Sequence, residues 1–372
     1  MKKIKNIKLS LYYKILICLS LFCALLYFIF TKSADVSEFF TRHISSVFRI
    51  VLGLFSSFFP FSFAEILIFS FVLFFLFLLG YCIFSTIVIL KGKTPKISAV
   101  KLLSVSLSIA LIIFDLFVFT FAPSYYRHSL KTNMDLNDEI KKEHVISTLE
   151  LLKDNLNELC DKVTFDESGA SKFEGSYGSL FNTVKSASDK LAEKHSFLQN
   201  TGFPAKPLLI SPLMTYTHIS GIFTFFTGEA NVNTNYPDYI VAFSAAHEHA
   251  HARSVGPENE ANFVAFLTCI ESEDAYLQYS GYAYVFSTVA NAVKNFDKDA
   301  YNRILSQLDD RVFGEYKAYS EFFEKYKDSV AADVSNAVND AYLNMHGQSG
   351  GIKTYGYFTD MIVLYFLNTK AI

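Results

Sequence analysis

The sequence predicts a mainly α-helical chain in two parts: transmembrane helices first, then an α+β domain carrying one small sheet. Three long apolar stretches in the first third predict the helices. Beyond Arg127, charged and apolar residues alternate at helical spacing, which predicts a folded domain. One short run dense in β-branched and aromatic residues predicts the sheet.

Composition agrees with a membrane chain. Hydrophobic residues make up 51% and charged residues 19%, with 39 phenylalanines, a balance unusual for a wholly soluble protein. A net charge of -3 excludes a general basic surface, and nucleic acid is not an expected partner. The 5 cysteines show no zinc-finger spacing. Cys160 and Cys269 either pair outside the cytoplasm or remain two buried thiols.

The elements follow in order. A basic head precedes "ILICLSLFCALLYFIFT", giving a first span over about 12–31. A signal peptide competes for this stretch, but its length and the lack of a small-x-small cleavage site favour an uncleaved span. The second span covers 64–90 and the third 102–123, ending at Pro123 and carrying Asp115, a carboxylate that must face protein or water. Asp115 marks either a packing contact or an off-centre span. Between the first two spans, 44–60 aligns Val47, Ile50, Val51 and Leu54, and either lies along the interface or crosses as a fourth span. Lysines in the head and at Lys91, Lys93, Lys96 and Lys101 place both in the cytoplasm by the positive-inside rule. Residues 1–128 then form the membrane anchor in the lipid bilayer, and 129–372 an extracytoplasmic domain at the cell membrane.

Within the domain, 135–160 and 180–199 read as helices around a Gly/Ser/Asp-rich loop. Strands are expected over Leu208–Tyr216 and Ile219–Phe226, the second closing in a turn at "TGEANVN". Helices resume at Tyr239 and continue with breaks near Ser280, Asp297 and Gly314. A last apolar helix, Phe358–Leu367, is too short to span and belongs to the domain.

The chemistry concentrates in "SAAHEHAHARSVGPENEANFVAF". His247 and His251 are four apart and share a helix face, so both imidazoles can meet one Zn2+ ion. Glu248 stands beside the first as a general base, while His249 points away. Gly256-Pro257 breaks the helix and a second begins at Glu258. Either Glu258 or Glu260 supplies the third ligand. Glu258 is favoured because its i+4 neighbour Asn262 can orient a histidine, whereas Glu260 shares its face with Val264. Glu229, Asn231 and Asn233 either line the cleft or shape a turn. Tyr355, set among glycines, is a candidate to stabilise an oxyanion. His218 and His346 read as structural.

"HEHAHARSVGPENEANFVAF" resembles the gluzincin kind of zinc metallopeptidase, in which a glutamate opens an E-x-x-x-D or E-x-x-x-N pattern, here Glu258 to Asn262. The chain between His251 and Glu258 is shorter than gluzincins usually have. The wider stretch from "GIFTFFTGEANVN", with "IKTYGYFTDMIVLYF" near the end, resembles a bacterial family of membrane-anchored proteins of unknown function, DUF3810. The resemblance implies a zincin-like domain, and an edge strand, "GIFTFF", that holds an extended peptide. The function expected is zinc-dependent hydrolysis of extracytoplasmic polypeptides, with zinc on His247, His251 and Glu258 and with Glu248 moving protons. The alternative is a non-catalytic membrane-anchored sensor or assembly protein with a structural zinc site.

Overall fold

The computed structural model describes residues 11–93, 99–346 and 355–372. The basic head up to residue 10, Lys96 and the glycine-rich stretch 349–354 lie outside them. Among the described residues, three helices are long and apolar enough to cross a membrane: Leu11–Phe30, Phe63–Leu90 and Val100–Thr120. They mark the chain as membrane-associated and fall close to the expected bounds. They are α1 (Leu11–Phe30), α4 (Phe63–Leu90) and α5 (Ala99–Thr120). Asp115 accepts a hydrogen bond from Ser20 Oγ at 2.9 Å, so this acid is a packing contact between α5 and α1.

Between α1 and α4, α2 (Ala34–Phe40) runs through a π-helical turn, Thr41–Ser45, into α3 (Ser46–Ser57). This run carries Asp35, Glu38, Arg42 and Arg49 and is not among the helices apolar enough to cross. Val47, Val51, Leu54 and Phe55 form its exposed apolar face, while Arg49, 2% exposed, points inward. The Arg49 guanidinium donates to the carbonyls of Thr120 and Thr41 and to Ser254 Oγ. Thr120 ends α5, where exposed carbonyls attract a cation, and these acceptors satisfy a charge that burial alone would penalise.

The remaining chain forms α6 (Leu130–Asn133), α7 (Lys142–Cys160), a two-stranded hairpin β1 (Thr164–Phe165) and β2 (Ser171–Lys172), and α8 (Tyr177–Lys194). Next come β3 (Lys206–Pro207), α9 (Ser211–Met214), β4 (Gly221–Thr224) and β5 (Glu229–Val232). Helices complete the fold: α10 (Asp238–Ala252), α11 (Glu258–Glu271), α12 (Ala275–Phe296), α13 (Lys298–Leu305), α14 (Asp310–Glu324), α15 (Val330–Met345) and α16 (Tyr355–Asn368). The core packs α8, α11 and α12 around α10, whose Ala245 and Ala246 are fully buried, with α7 against α12 and α16 against α11. Small side chains there bring helices close, and Phe243 stacks on Tyr284 at 3.7 Å.

Several expectations are corrected. Leu208–Tyr216 is not a strand: Ser211 Oγ bonds Leu208 O at 2.6 Å and starts a helical turn at α9. The stretch read as a turn, "EANV", is instead β5, the buried centre of a sheet ordered β3-β5-β4. β3 runs parallel and β4 antiparallel to β5. α12 continues through Ser280, whose hydroxyl bonds Tyr276 O one turn back at 2.8 Å. Gly314 lies inside α14, packed against Gly169. Cys160 and Cys269 are both buried free thiols.

The domain grips the membrane helices at three ends. Glu229 accepts from Phe63 N (3.0 Å) and Ala64 N (2.8 Å), capping the first turn of α4, and pairs with Lys206 at 2.6 Å. Glu65 in turn accepts from Leu209 N and Ile210 N, both at 3.0 Å. Arg49 of α3 bridges the end of α5 to Ser254 of the domain, and Tyr27 of α1 bonds His346 Nδ1 at 3.2 Å. Glu229 and Asn231 therefore serve packing: Asn231 Nδ2 binds Ile222 O across the sheet (3.3 Å). Asn233 does the same for the neighbouring loop, donating to Ile219 O at 2.9 Å.

Candidate metal centre

The site is built on the end of α10 and the start of α11. α10 begins with apolar residues and buries on all sides, so its histidines arrive in a dry environment. It ends in a Schellman motif: Val255 N donates to Ala250 O (3.1 Å) and Ser254 N to His251 O (3.0 Å). Ser254 takes the left-handed position (φ 84), unusual for a residue with a side chain. Two arginines hold it there. Arg49 donates to its hydroxyl, and Arg127 Nη1 donates to its carbonyl at 3.2 Å. A Cβ on Gly256 would lie 2.7 Å from Ser124 Oγ, so the turn packs directly on the chain just after α5.

This turn aims the Val255 carbonyl at His251. His251 Nδ1 donates to Val255 O at 2.7 Å, which leaves Nε2 free for a ligand. From α11, Asn262 Oδ1 meets His247 Nδ1 at 2.8 Å and fixes the second ring the same way. The free atoms converge: His251 Nε2 lies 3.1 Å from His247 Nε2. Glu258 Oε2 lies 3.1 Å from the His247 Nε2 and 3.6 Å from that of His251. Zinc ligands about 2.1 Å from a tetrahedral ion sit about 3.4 Å from each other, so the three atoms are spaced as one zinc requires.

The donor chemistry fits as well. Two imidazole lone pairs and a carboxylate facing one another repel unless a cation or proton lies among them. Burial would lower the His251 pKa, but the Glu258 carboxylate overrides it and raises the pKa to about 9. Burial would raise the Glu258 pKa, but the two histidines hold it far below the carboxylate range. The cluster therefore demands positive charge.

Of the two acids weighed from sequence, Glu258 joins the histidines. Glu260 turns away, accepting from Leu130 N at 2.9 Å, and burial lifts its pKa to about 7. His249 is fully buried away from the cluster, and desolvation followed by the Arg253 charge drops its pKa to about 3. The Tyr355 side chain lies outside what is described; its backbone opens α16. His218 bonds Tyr326 O at 2.8 Å and is not part of the cluster.

Glu248, 5% exposed, stands between the cluster and the sheet. A Cβ on Gly221 would fall 2.7 Å from Glu248 Oε1, so any larger residue at that position of β4 would displace the Glu248 side chain. Burial raises the Glu248 pKa, partly opposed by His247 and His251. β4 is the edge strand. Asn233 N donates to Ser220 O, so by the antiparallel alternation Gly221 and Phe223 carry their N–H and C=O away from β5, where the Phe223 N–H donates to the Glu248 carboxylate.

Sequence reasoning missed Tyr125 and Tyr342. Their hydroxyls bond at 3.1 Å. Burial foremost, and also the Glu258 charge, raises both phenols, Tyr342 to about 12. Tyr125 sits in "APSYYR", and nothing in that string signals a distant metal cluster. The Val255 carbonyl was equally invisible, being a backbone atom aimed by a cap.

A family profile described as "Protein of unknown function (DUF3810)" matches residues 37–363. The chain belongs to the DUF3810 family. Its matched span includes the second half of α2, all of α3, two of the three apolar helices and the whole candidate metal cluster. No curated protein and no solved structure matches this DUF3810 chain.

Proposed function

We propose that this DUF3810 protein is a membrane-anchored zinc metallopeptidase with a zincin-like domain. The observation that carries the reading is the joint geometry of His247, His251, Glu258 and Glu248 beside the free edge of β4. A bound zinc would supply Lewis acidity toward the scissile carbonyl and lower the pKa of water at the site.

The chain's own residues do the rest. Gly221 and the Phe223 carbonyl offer backbone groups to an extended peptide, adding it to the sheet as a strand, while the Phe223 N–H steadies Glu248. The Glu248 carboxylate takes a proton from the attacking water and hands it to the leaving amine. Its raised pKa brings it closer to neutrality, where a base and acid in one must work. Asn262 and the Val255 carbonyl hold both histidines in the tautomer that frees Nε2. Burial of α10 keeps water from competing for the donors.

The proposed setting is the cell membrane, with three crossings and the domain on the extracytoplasmic side. The domain meets α1 and α5 at their C-terminal ends and α4 at its N-terminal end, as an alternating path of three crossings requires. Lysines at the opposite end of α4 favour the cytoplasm there.

The test is cleavage of a peptide library by the purified, zinc-loaded chain, compared with Glu248→Gln. The proposal expects cleavage by the first and none by the second, with zinc content equal. Function intact in Glu248→Gln would instead support a structural zinc in a sensor or assembly protein.

A further inference from the structure

We infer that the substrates are themselves membrane-anchored polypeptides, cut within a few residues of the point where they leave the bilayer. This rests on the metallopeptidase reading and names the substrate class of the same site.

The inference comes from how the edge strand lies against α5. Phe121, just past the apolar helix, has its ring 5.9 Å from the His251 ring and 5.2 Å from the Phe223 ring. One turn deeper in α5, the Phe117 ring lies 5.2 Å from Phe225. Two residues of strand advance about 7 Å, and four residues of helix advance about 6 Å. The matched steps mean that this part of the chain descends alongside α5, antiparallel to it. A peptide added to the free edge of β4 shares that axis. One of its ends then reaches the level of Phe117, inside the apolar stretch Val100–Thr120.

The surroundings agree. The turn after β4 is seated on α3: a Cβ on Gly228 would lie 2.8 Å from Gly53 N. The other face of α3 presents exposed Val51 and Leu54, a surface suited to lipid. The cleft therefore opens at the bilayer boundary and not into bulk water. Glu248 lies against Gly221, and Gly221 to Phe223, which is level with Phe121 at the edge of that stretch, is two residues, or about 7 Å of strand. The scissile bond thus falls roughly two or three residues outside the apolar layer. A hydrated peptide gains nothing by directing one end into that layer, whereas a chain emerging from its own span is already there. Hydrolysis adds water across the C–N bond, leaving one carboxylate and one amine, and needs no other reactant.

The experiment uses the full chain, zinc-loaded, in phospholipid nanodiscs. Three probes carry the same randomised ten-residue segment: fused directly to a synthetic transmembrane helix, fused through a 25-residue Gly/Ser spacer, or free in solution. Products are read by mass spectrometry. The spacer probe controls for the higher effective concentration of any anchored substrate. The directly fused probe should be cut about tenfold faster than either other, since position along the strand governs reaction. Equal rates on all three would overturn the inference and leave the peptidase reading standing. No cleavage of any probe by folded, zinc-loaded protein would overturn both.

Discussion

Asn262 offers a sharp perturbation of the metal centre, because it touches a ligand without being one. Its Oδ1 lies 2.8 Å from His247 Nδ1 and has no role in the geometry other than holding that ring. In Asn262→Ala the imidazole loses its fixed tautomer and orientation, and removal of such an outer partner costs about 10- to 100-fold in metal affinity. That corresponds to about 1.4–2.7 kcal/mol. Asn262→Asp replaces the amide with a carboxylate, makes the ring more basic and should match or exceed the wild-type affinity. Glu260→Gln is the internal control: it lies two residues away on α11 but bonds Leu130 N. Competition against a chelator at fixed pH gives all four affinities. Equal zinc affinity in Asn262→Ala and wild type, or a larger loss in Glu260→Gln, would refute the reasoning.

Other consequences are as direct. Gly221→Val should abolish cleavage while leaving zinc bound, because its Cβ would meet Glu248 and not a ligand; retained activity would contradict the placement of the base. Glu229→Ala removes the cap of α4 and the carboxylate paired with Lys206, leaving its largely buried charge with the Ser56 and Phe61 carbonyls, so thermal unfolding in detergent should show a loss of about 3 kcal/mol. A loss under about 1 kcal/mol would mean the cap is merely incidental. His346, 3% exposed, faces Tyr27, Tyr125 and Tyr126, and burial lowers its pKa from 6.5 to about 4. The unfolded chain then binds a proton that the fold refuses, so stability falls as pH drops from 6.5 toward 4, by at most about 3 kcal/mol. His346→Phe should flatten that slope, and an unchanged slope would place its origin elsewhere.

Much of this was legible in the sequence for identifiable reasons. The apolar stretches announce membrane helices by length alone, and their bounds moved by only a few residues. Helical spacing aligned His247 with His251, and the Glu258–Asn262 pairing followed from i+4 geometry on α11. The sheet was misjudged because β-branched and aromatic residues at 208–216 signal strand, while the local Ser211 hydroxyl decides for a turn. The real central strand, "EANV", carries Glu and Asn whose partners lie on α4 and β4, more than a local window can see. The same holds for Arg49 and Ser254, 205 positions apart, whose contact shapes the end of the histidine helix.

The most direct test of the central claim is metal content and X-ray absorption on the purified full chain after zinc loading and dialysis. The account predicts one zinc per chain with nitrogen and oxygen neighbours at about 2.0–2.1 Å, lost in His247→Ala/His251→Ala. A folded chain that retains no zinc, or that retains it equally without both histidines, would contradict it.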